Sequence, residues 1–395
     1  MKHRRRKLFS IPYVALLSLS IIFIGVFNSS LTGEFSIMSQ GTIRYGWLRA
    51  EGKWLVDDEG HIVILRGANF MGYGMGNWKR HTLEDYERMK SWGFNVVRLP
   101  IGWNYMEPKP GFYNESYFAI IERDITWAKQ AGLYVVINVA HLRWSPYFTF
   151  AGGKRNGLPI WMVNGYPDSL DGMKEAITDF WLGKASNGSE PTTDNPSMQD
   201  RFVAMWKYLA ARYRNETTIA AYDLFDEPLR GTLSDREAAK YIYPFYEKVI
   251  SGIRQVDKNH IIIYQPSPGG YGIRYARLLN QSNVMFDFHF YYFDGITDKV
   301  NPPYSGNYEE LEDTFLTMRW ELPLGNPISN WNIPIWVGGF GSGIETWARD
   351  TVKIFGKYEL GWAWWAYYRS DNNPRALLYL NGSERLYLTQ YLKQT

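Results

Sequence analysis

Residues 218–230 read T-I-A-A-Y-D-L-F-D-E-P-L-R. The β-friendly run from Ile219 to Phe225 is stopped by Pro228, which cannot continue a central strand. Two adjacent acids, Asp226 and Glu227, stand immediately before that stop. Carboxylates at the carboxyl end of a buried strand cost desolvation energy unless they are paired, hydrogen-bonded or neutralised. Asp-Glu-Pro equally suits the start of a loop, so this stretch alone leaves a turn and a functional strand end both open.

Its surroundings supply the context. On the N-terminal side the pattern predicts a hairpin over 47–63 turning at Asp57-Asp58-Glu59-Gly60, then a buried strand over 62–69. A helix follows from Thr82, with Leu83, Tyr86, Met89 and Lys90 at helical spacing and Gly93 as terminator. Next come a strand over 94–99 closed by Pro100, a helix over 117–130 closed by Gly132, and a strand over 133–140 ending at His141. Residues 142–197 exceed the usual connection length and read as a functional excursion. Beyond it the rhythm resumes with a helix over 198–213 and the strand opening at Ile219. A helix over 234–256, strands over 260–265 and 284–290, and a helix over 308–320 follow. The series ends with a strand over 333–337, a helix over 345–355, a strand over 362–366 and a short helix from Glu384.

Eight strands alternating with helical segments in one unbroken unit predict a parallel sheet. Eight repeats close most naturally as a TIM (β/α)8 barrel, an α/β fold built as a single catalytic domain over 46–395. An open doubly wound sheet is the alternative, but no Gly-x-Gly-x-x-Gly opens a helix.

Formal net charge is +3, but Lys2, Arg4, Arg5, Arg6 and Lys7 supply five positives. Setting those five aside takes the 43 basic residues to 38 against 40 acidic ones, so the main body has no electrostatic support for nucleic-acid binding. The basic cluster precedes the uncharged segment 8–27, the arrangement of a signal or transmembrane anchor. Residues 1–27 are expected to be an uncleaved anchor with its basic end in the cytoplasm, a cleaved secretory signal being the alternative. Residues 28–45 read as a linker, and either route exports the rest. The expected location is extracellular, secreted or anchored to the outer face of the membrane. Cysteine is absent, so disulfides and thiolate metal sites are excluded. Six His without a His-Glu-x-x-His pattern give no metal site to propose, and no cofactor is expected. The 17 Trp and 29 Tyr suit packing or stacking on sugar faces. Asn28, Asn114, Asn187, Asn215, Asn280 and Asn381 begin triplets that permit glycosylation outside the membrane.

On a barrel, chemistry sits at the carboxyl ends of the strands. Those ends supply Asn69, Arg98, His141, Asp226 with Glu227, Gln265, His289 with Tyr291, Gly339 and Trp365. Nearly every one offers a polar or aromatic group able to meet a sugar.

The order and spacing of these fragments resemble the cellulase-like, family-five glycoside hydrolases of the TIM-barrel clan. The fragments are L-R-G-A-N at 65–69, F-N-V-V-R-L-P at 94–100, His141, residues 222–228, H-F-Y at 289–291, residues 334–341, and Gly361 with Trp365. G-K-R-N-G-L-P-I-W-M at 153–162 and the helix carrying Trp206 look like the endoglycoceramidase branch, which cleaves the glycan from glycolipids.

The resemblance implies a retaining mechanism. A Glu in an Asn-Glu-Pro sequence ending the fourth strand is the general acid/base. A second Glu, within Gly-Glu-Phe-Gly at the seventh strand end, is the nucleophile, about 5–5.5 Å from the first. Glu227 stands in the acid/base position, preceded by Asp226 instead of Asn. The seventh strand reads I-W-V-G-G-F-G at 335–341, so Gly339 occupies the nucleophile position and offers no atom to attack an anomeric carbon. An introduced substitution, a natural pseudoenzyme and a sequence error each account for it. A cavity open to water or a small anion is expected there. Glu345, six residues on, reads as a first-turn helix charge.

By the same resemblance Arg98 steadies the nucleophile and Tyr291 hydrogen-bonds it. His141 and His289 bind the sugar or the acid/base, Asp226 meets the sugar 2-hydroxyl, and Trp365 is the platform under the reacting sugar. Trp364 is then the core-facing neighbour, because side chains alternate on strands. Trp103, Trp144 and Trp161 are candidates for outer subsites. The expected activity is hydrolysis of β-linked oligo- or polysaccharide by a monomer of cellulase type. A glycolipid-cleaving endoglycosidase and a sugar-binding pseudoenzyme are the alternatives.

Overall fold

Strands buried on both faces, with helices between them, can only be satisfied by a layered α/β arrangement. In the computed structural model, which describes residues 46–70, 81–141, 144–150, 156–267, 273–292, 303–368 and 372–393, they close on themselves. A hairpin of β1 (Arg49–Glu51) and β2 (Trp54–Val56) comes first. The barrel strands are β3 (Arg66–Asn69), β4 (Val96–Ile101), β5 (Tyr134–Val139), β6 (Ile219–Asp223), β7 (Ile261–Tyr264), β8 (Val284–Phe290), β9 (Ile335–Phe340) and β10 (Gly361–Trp364). Each pairs in parallel with the next, and β10 pairs with β3. The expected TIM barrel is therefore the observed fold.

The outer layer holds α1 (Leu83–Ser91), α2 (Trp103–Met106), α3 (Glu115–Ala131), α4 (Ile160–Val163), α5 (Leu170–Trp181) and α6 (Met198–Tyr213). It continues with α7 (Asp235–Arg254), α8 (Tyr308–Phe315), α9 (Glu345–Lys357) and α10 (Leu386–Leu392). Their ends follow the local chemistry. Ser234 and Glu237 form a reciprocal capping box at the start of α7. Gly132 ends α3 in the left-handed region at φ 76°, where a Cβ would be strained.

Strand alternation divides the core in two. Outward-facing Val97, Leu99, Ile137, Tyr222, Tyr264, Phe286, Val337 and Trp362 pack under the helices. Inward-facing Val96, Val136, Ala221, Ile261, Ile263, Met285, Trp336 and Ala363 fill the lower barrel with Leu48 and Leu55 of the hairpin region. The hairpin thus stoppers the amino end of the barrel, and the Ala50 N–H bonds to Asn283 Oδ1 at 2.8 Å. Above that apolar floor the inward positions turn polar: Asn69, Arg98, Asn138, Asp223, Gln265 and Asp287 are all buried.

Several expectations are corrected in detail. The hairpin turns at Gly52-Lys53, and Asp57–Gly60 forms a second turn bridged by Val56 and Ile62. Pro100 does not close β4, which runs to Ile101. The helix expected over 308–320 changes to a π turn after Phe315. Within the excursion, α4 and α5 form. The predicted anchor (1–27) and linker (28–45) lie outside the described residues, as do residues 153–155. Among the described residues no helix is long and apolar enough to cross a membrane.

Candidate active site

Arg98 is the hub of the polar layer. Its Nε and Nη2 donate to Asp223 Oδ2 at 2.9 and 2.6 Å, Nη2 also to Asp226 Oδ1 at 2.7 Å, and Nη1 to Asn69 Oδ1 at 3.0 Å. The guanidinium side chain is wholly inaccessible, so Arg98 does not touch a ligand. It acts by holding Asp226, which corrects its expected place in substrate binding. Burial opposes charging this arginine, but Asp223, Asp226 and Asp287 hold its pKa above the usual value. Burial would likewise raise the Asp226 carboxyl, yet Arg98 and His289 pull it below the usual range and keep it ionised. Asp223 goes the other way: burial, against the pull of Arg98, pushes it up to about 7.

Glu227 follows at the barrel mouth, with 42% of its side chain exposed. Its backbone sits at φ 40°, in the left-handed region that non-glycine residues avoid. Two strand-end side chains pin it there. Gln265 Oε1 accepts the Glu227 N–H at 3.0 Å, and His141 Nε2 donates to the Glu227 carbonyl at 3.0 Å. Strain of this kind, held by surrounding bonds, is characteristic of sites where a side chain must be aimed. Gln265 is itself fixed by donating to Asp223 at 3.0 Å. Burial keeps the His141 pKa below its ordinary value despite Asp226 and Glu227, consistent with a neutral ring that donates from Nε2.

His289 reaches the acid from β8, two strands further round the barrel. Its Nδ1 lies 2.6 Å from Glu227 Oε1, and Nε2 stands 3.9 Å from Asp226 and 3.7 Å from Asp287. Burial works against charging this ring, but the carboxylates of Asp287 and Glu227 outweigh it and hold the pKa at about 10. His289 is thus an imidazolium among carboxylates at neutral pH.

Gly339 is level with His289 in the β8–β9 ladder. Between Asp287 and His289 the partner strand advances from Trp336 to Gly339, one residue too many, and the bulge turns Gly339 toward the ring. A Cβ there would lie 2.7 Å from Tyr291 Oη and 2.9 Å from the His289 ring. The expected open cavity is not present beside this glycine, because two side chains have closed over it. Tyr291 lies under the Arg375 guanidinium, 5.0 Å from its ring, and burial raises its pKa far above normal, so its hydroxyl stays a donor.

Trp365 is half-buried at the end of β10 and Trp364 is fully buried, as strand alternation requires. Trp103 and Trp144 are fully buried packing residues and cannot line subsites. Trp161 remains partly accessible, under Arg201 at 5.1 Å. Glu345 begins α9 and bonds Tyr391 and Gln390 on the surface, away from any nucleophilic role. Asp223 and Asp287 were not anticipated. Each is a lone charge inside an apolar strand run and in phase with the inward residues, which is the signal that marks them. Among the described residues no group of His, Asp and Glu could hold a metal ion.

A TIM barrel with a strained glutamate at the fourth strand end, backed by histidines and an aromatic at the eighth, defines a glycosidase-type site. The family model for Cellulase (glycosyl hydrolase family 5) matches residues 56–371, and the chain belongs to that family. An endoglycoceramidase from Hydra vulgaris is 26% identical over 46% of this chain and 40% of its own length. Another from Cyanea nozakii is 23% identical over 46% and 41%. The chain thus spans about two fifths of these relatives, whereas an Acetivibrio thermocellus endoglucanase C is covered over 91% of its length at 21% identity. Among solved structures, an endogalactoceramidase has a TM-score of 0.71 at 24% identity, covering 88% of this chain and 84% of its own. Endoglycoceramidase II from Rhodococcus sp., solved with ganglioside GM3, has a TM-score of 0.70 at 22% identity, covering 87% and 81%.

Proposed function

We propose that this chain hydrolyses β-linked glycans, with Glu227 as general acid/base and without a nucleophile of its own at 339. The observation that carries this reading is the pinned, strained and accessible Glu227. Holding one carboxyl at φ 40° by two separate side chains serves no packing need, but it does serve proton delivery to a leaving oxygen. Trp365 offers a flat face for a sugar, and Asp226 and His289 offer polar groups to its hydroxyls. Soluble or polymeric β-glycan is one substrate class, supported by the endoglucanase relatives. A glycolipid glycan is the second, supported by the endoglycoceramidase likeness over the larger part of the barrel. A tether through the N-terminal segment, outside the cell, accords with either.

The test is turnover by the full chain on cellulosic, mannan, chitin-type and glycolipid substrates, beside Glu227→Gln. Loss of kcat by about 10²–10⁴ in the variant, with sugar affinity retained in calorimetry, is expected for a general acid/base. Binding without turnover on every substrate would instead make the chain a sugar-binding protein.

A further inference from the structure

With glycine at 339, attack on the anomeric carbon needs an oxygen from elsewhere. Asp223 and Asp287 are inaccessible, and Asp287 Oδ1 is occupied by the Gly338 N–H at 2.6 Å. Asp226 adjoins Glu227, on the acid's own side, with Oδ1 held by Arg98. Tyr291 keeps its proton, and Glu345 is on the outer surface. An inverting route would need a second carboxylate facing Glu227 across about 6.5–9.5 Å, and the position that faces it from β9 is glycine.

We infer that the substrate brings the nucleophile: the chain acts on β-linked 2-acetamido-2-deoxy sugars, whose acetamido oxygen attacks the anomeric carbon while Asp226 holds the acetamido N–H. The inference rests on the reading of Glu227 as acid/base. The glycosidic oxygen and the 2-nitrogen sit on adjacent ring carbons, so the groups that address them must also be neighbours. Asp226 and Glu227 are consecutive in the chain, and a single imidazole meets both, Nδ1 on Glu227 and Nε2 facing Asp226. Asp226 is ionised, and the hydrogen bonds among described residues use only Oδ1, leaving Oδ2 to accept an N–H. Beside Gly339 the Tyr291 hydroxyl stands 2.7 Å from where a side chain at 339 would begin, as a donor suited to orient a carbonyl oxygen.

The bonds balance. The acetamido oxygen forms a bond to the anomeric carbon as the bond to the leaving oxygen breaks, and Glu227 gives that oxygen a proton that the His289 imidazolium passes to it across 2.6 Å. The bicyclic oxazolinium carries one positive charge, for which the Asp226 carboxylate is the counter-ion. Water then adds to the anomeric carbon and passes its proton to Glu227, and the acetamide re-forms. Intramolecular attack in a five-membered ring gains the large effective concentration of a tethered group, which is why no protein nucleophile is needed.

The experiment compares aryl β-glycosides, and β-1,4-linked tetrasaccharides, of 2-acetamido-2-deoxyglucose and of glucose with the full chain. Expected is a kcat/KM at least about 100-fold higher for the acetamido sugars. Replacing acetyl by mono-, di- and trifluoroacetyl should lower it by about tenfold or so at each step, since fluorine weakens the attacking oxygen. Asp226→Asn should lower acetamido turnover by about 100-fold and weaken binding of a thiazoline mimic of the oxazolinium. If that variant fails to fold, the fluorine series on the unaltered chain still decides. Glucosides turned over as fast, or acetamido turnover indifferent to fluorine, overturns this inference and leaves Glu227 as acid/base. No turnover of any substrate overturns both readings.

Discussion

Nδ1 of His289 lies 2.6 Å from Oε1 of Glu227, while the same imidazole stands 2.9 Å from where a side chain at 339 would begin. One ring therefore steadies the acid and fills the space next to the missing partner. It is also a cation where the family pattern implies the vicinity of an anion, which changes how the site responds to pH.

Folding raises the His289 pKa from 6.5 to about 10. Its stabilising contribution is then complete below about 6.5 and is lost as pH rises through about 10. Calorimetric Tm is expected to fall across that window, and the fall should shrink in His289→Gln. An unchanged alkaline slope in the variant would assign the loss to another group.

Restoring a carboxylate at 339 is expected not to restore a site. Gly339→Ala already drives a Cβ against Tyr291 and His289, and a cost of about 1–3 kcal/mol is expected in urea denaturation. Gly339→Glu should be destabilised at least as much and should gain little turnover on 2-hydroxy glycosides. Azide or formate should give no rescue of activated aryl glucosides, because no cavity beside the glycine receives the anion. Strong rescue would mean that Tyr291 and His289 move aside in solution.

Arg98→Met leaves the buried Asp223 and the partly buried Asp226 without their cation, and a loss of about 3–5 kcal/mol is expected in chemical denaturation. Arg98→Lys keeps the charge but not the fork that serves three partners at once, so it should fall between. A loss below about 1 kcal/mol for Met would show the network to be dispensable.

Gln265→Leu removes the acceptor for the Glu227 N–H. Leaving that donor unmet costs about 1–3 kcal/mol, and the backbone is freed from φ 40°. For a positioning residue the expected signature is a kcat reduced by about tenfold with KM little changed. Equal effects on both would make Gln265 a substrate contact.

Most of the barrel was legible because its strands end in breakers and its helices keep a 3.6 period. Pro100 misled for a local reason. Alternate residues of β4 bond to β3 and to β5, and Arg98 and Pro100 face β3; pairing with β3 stops at Arg98, so the N–H that Pro100 lacks has no partner to lose. Glu227, His141, Gln265 and His289 were visible as strand ends, and the structure joins the other three around Glu227, two at its backbone and His289 at its carboxyl. Arg98 was visible as a residue but not as a hub, since its partner Asp223 is 125 positions away in the chain. Trp103 and Trp144 look like platforms in sequence, and only the packing of Trp103 on Phe202 and of Trp144 on Phe180 and Phe225 reveals them as core. The closure over Gly339 had no sequence signal, because it depends on two side chains from the neighbouring strand.

The stopper formed by β1 and β2 has a consequence for traffic. With Leu48 and Leu55 plugging the floor, the space around Glu227 is closed toward the amino end of the barrel and opens at the carboxyl end. A long chain cannot thread it; it must lie across the doorway or enter by an end. The detached alcohol and the incoming water share that opening, so departure must precede arrival. Any bulky group left bound at the doorway, such as the lipid portion of a glycolipid, would then set the pace of each cycle.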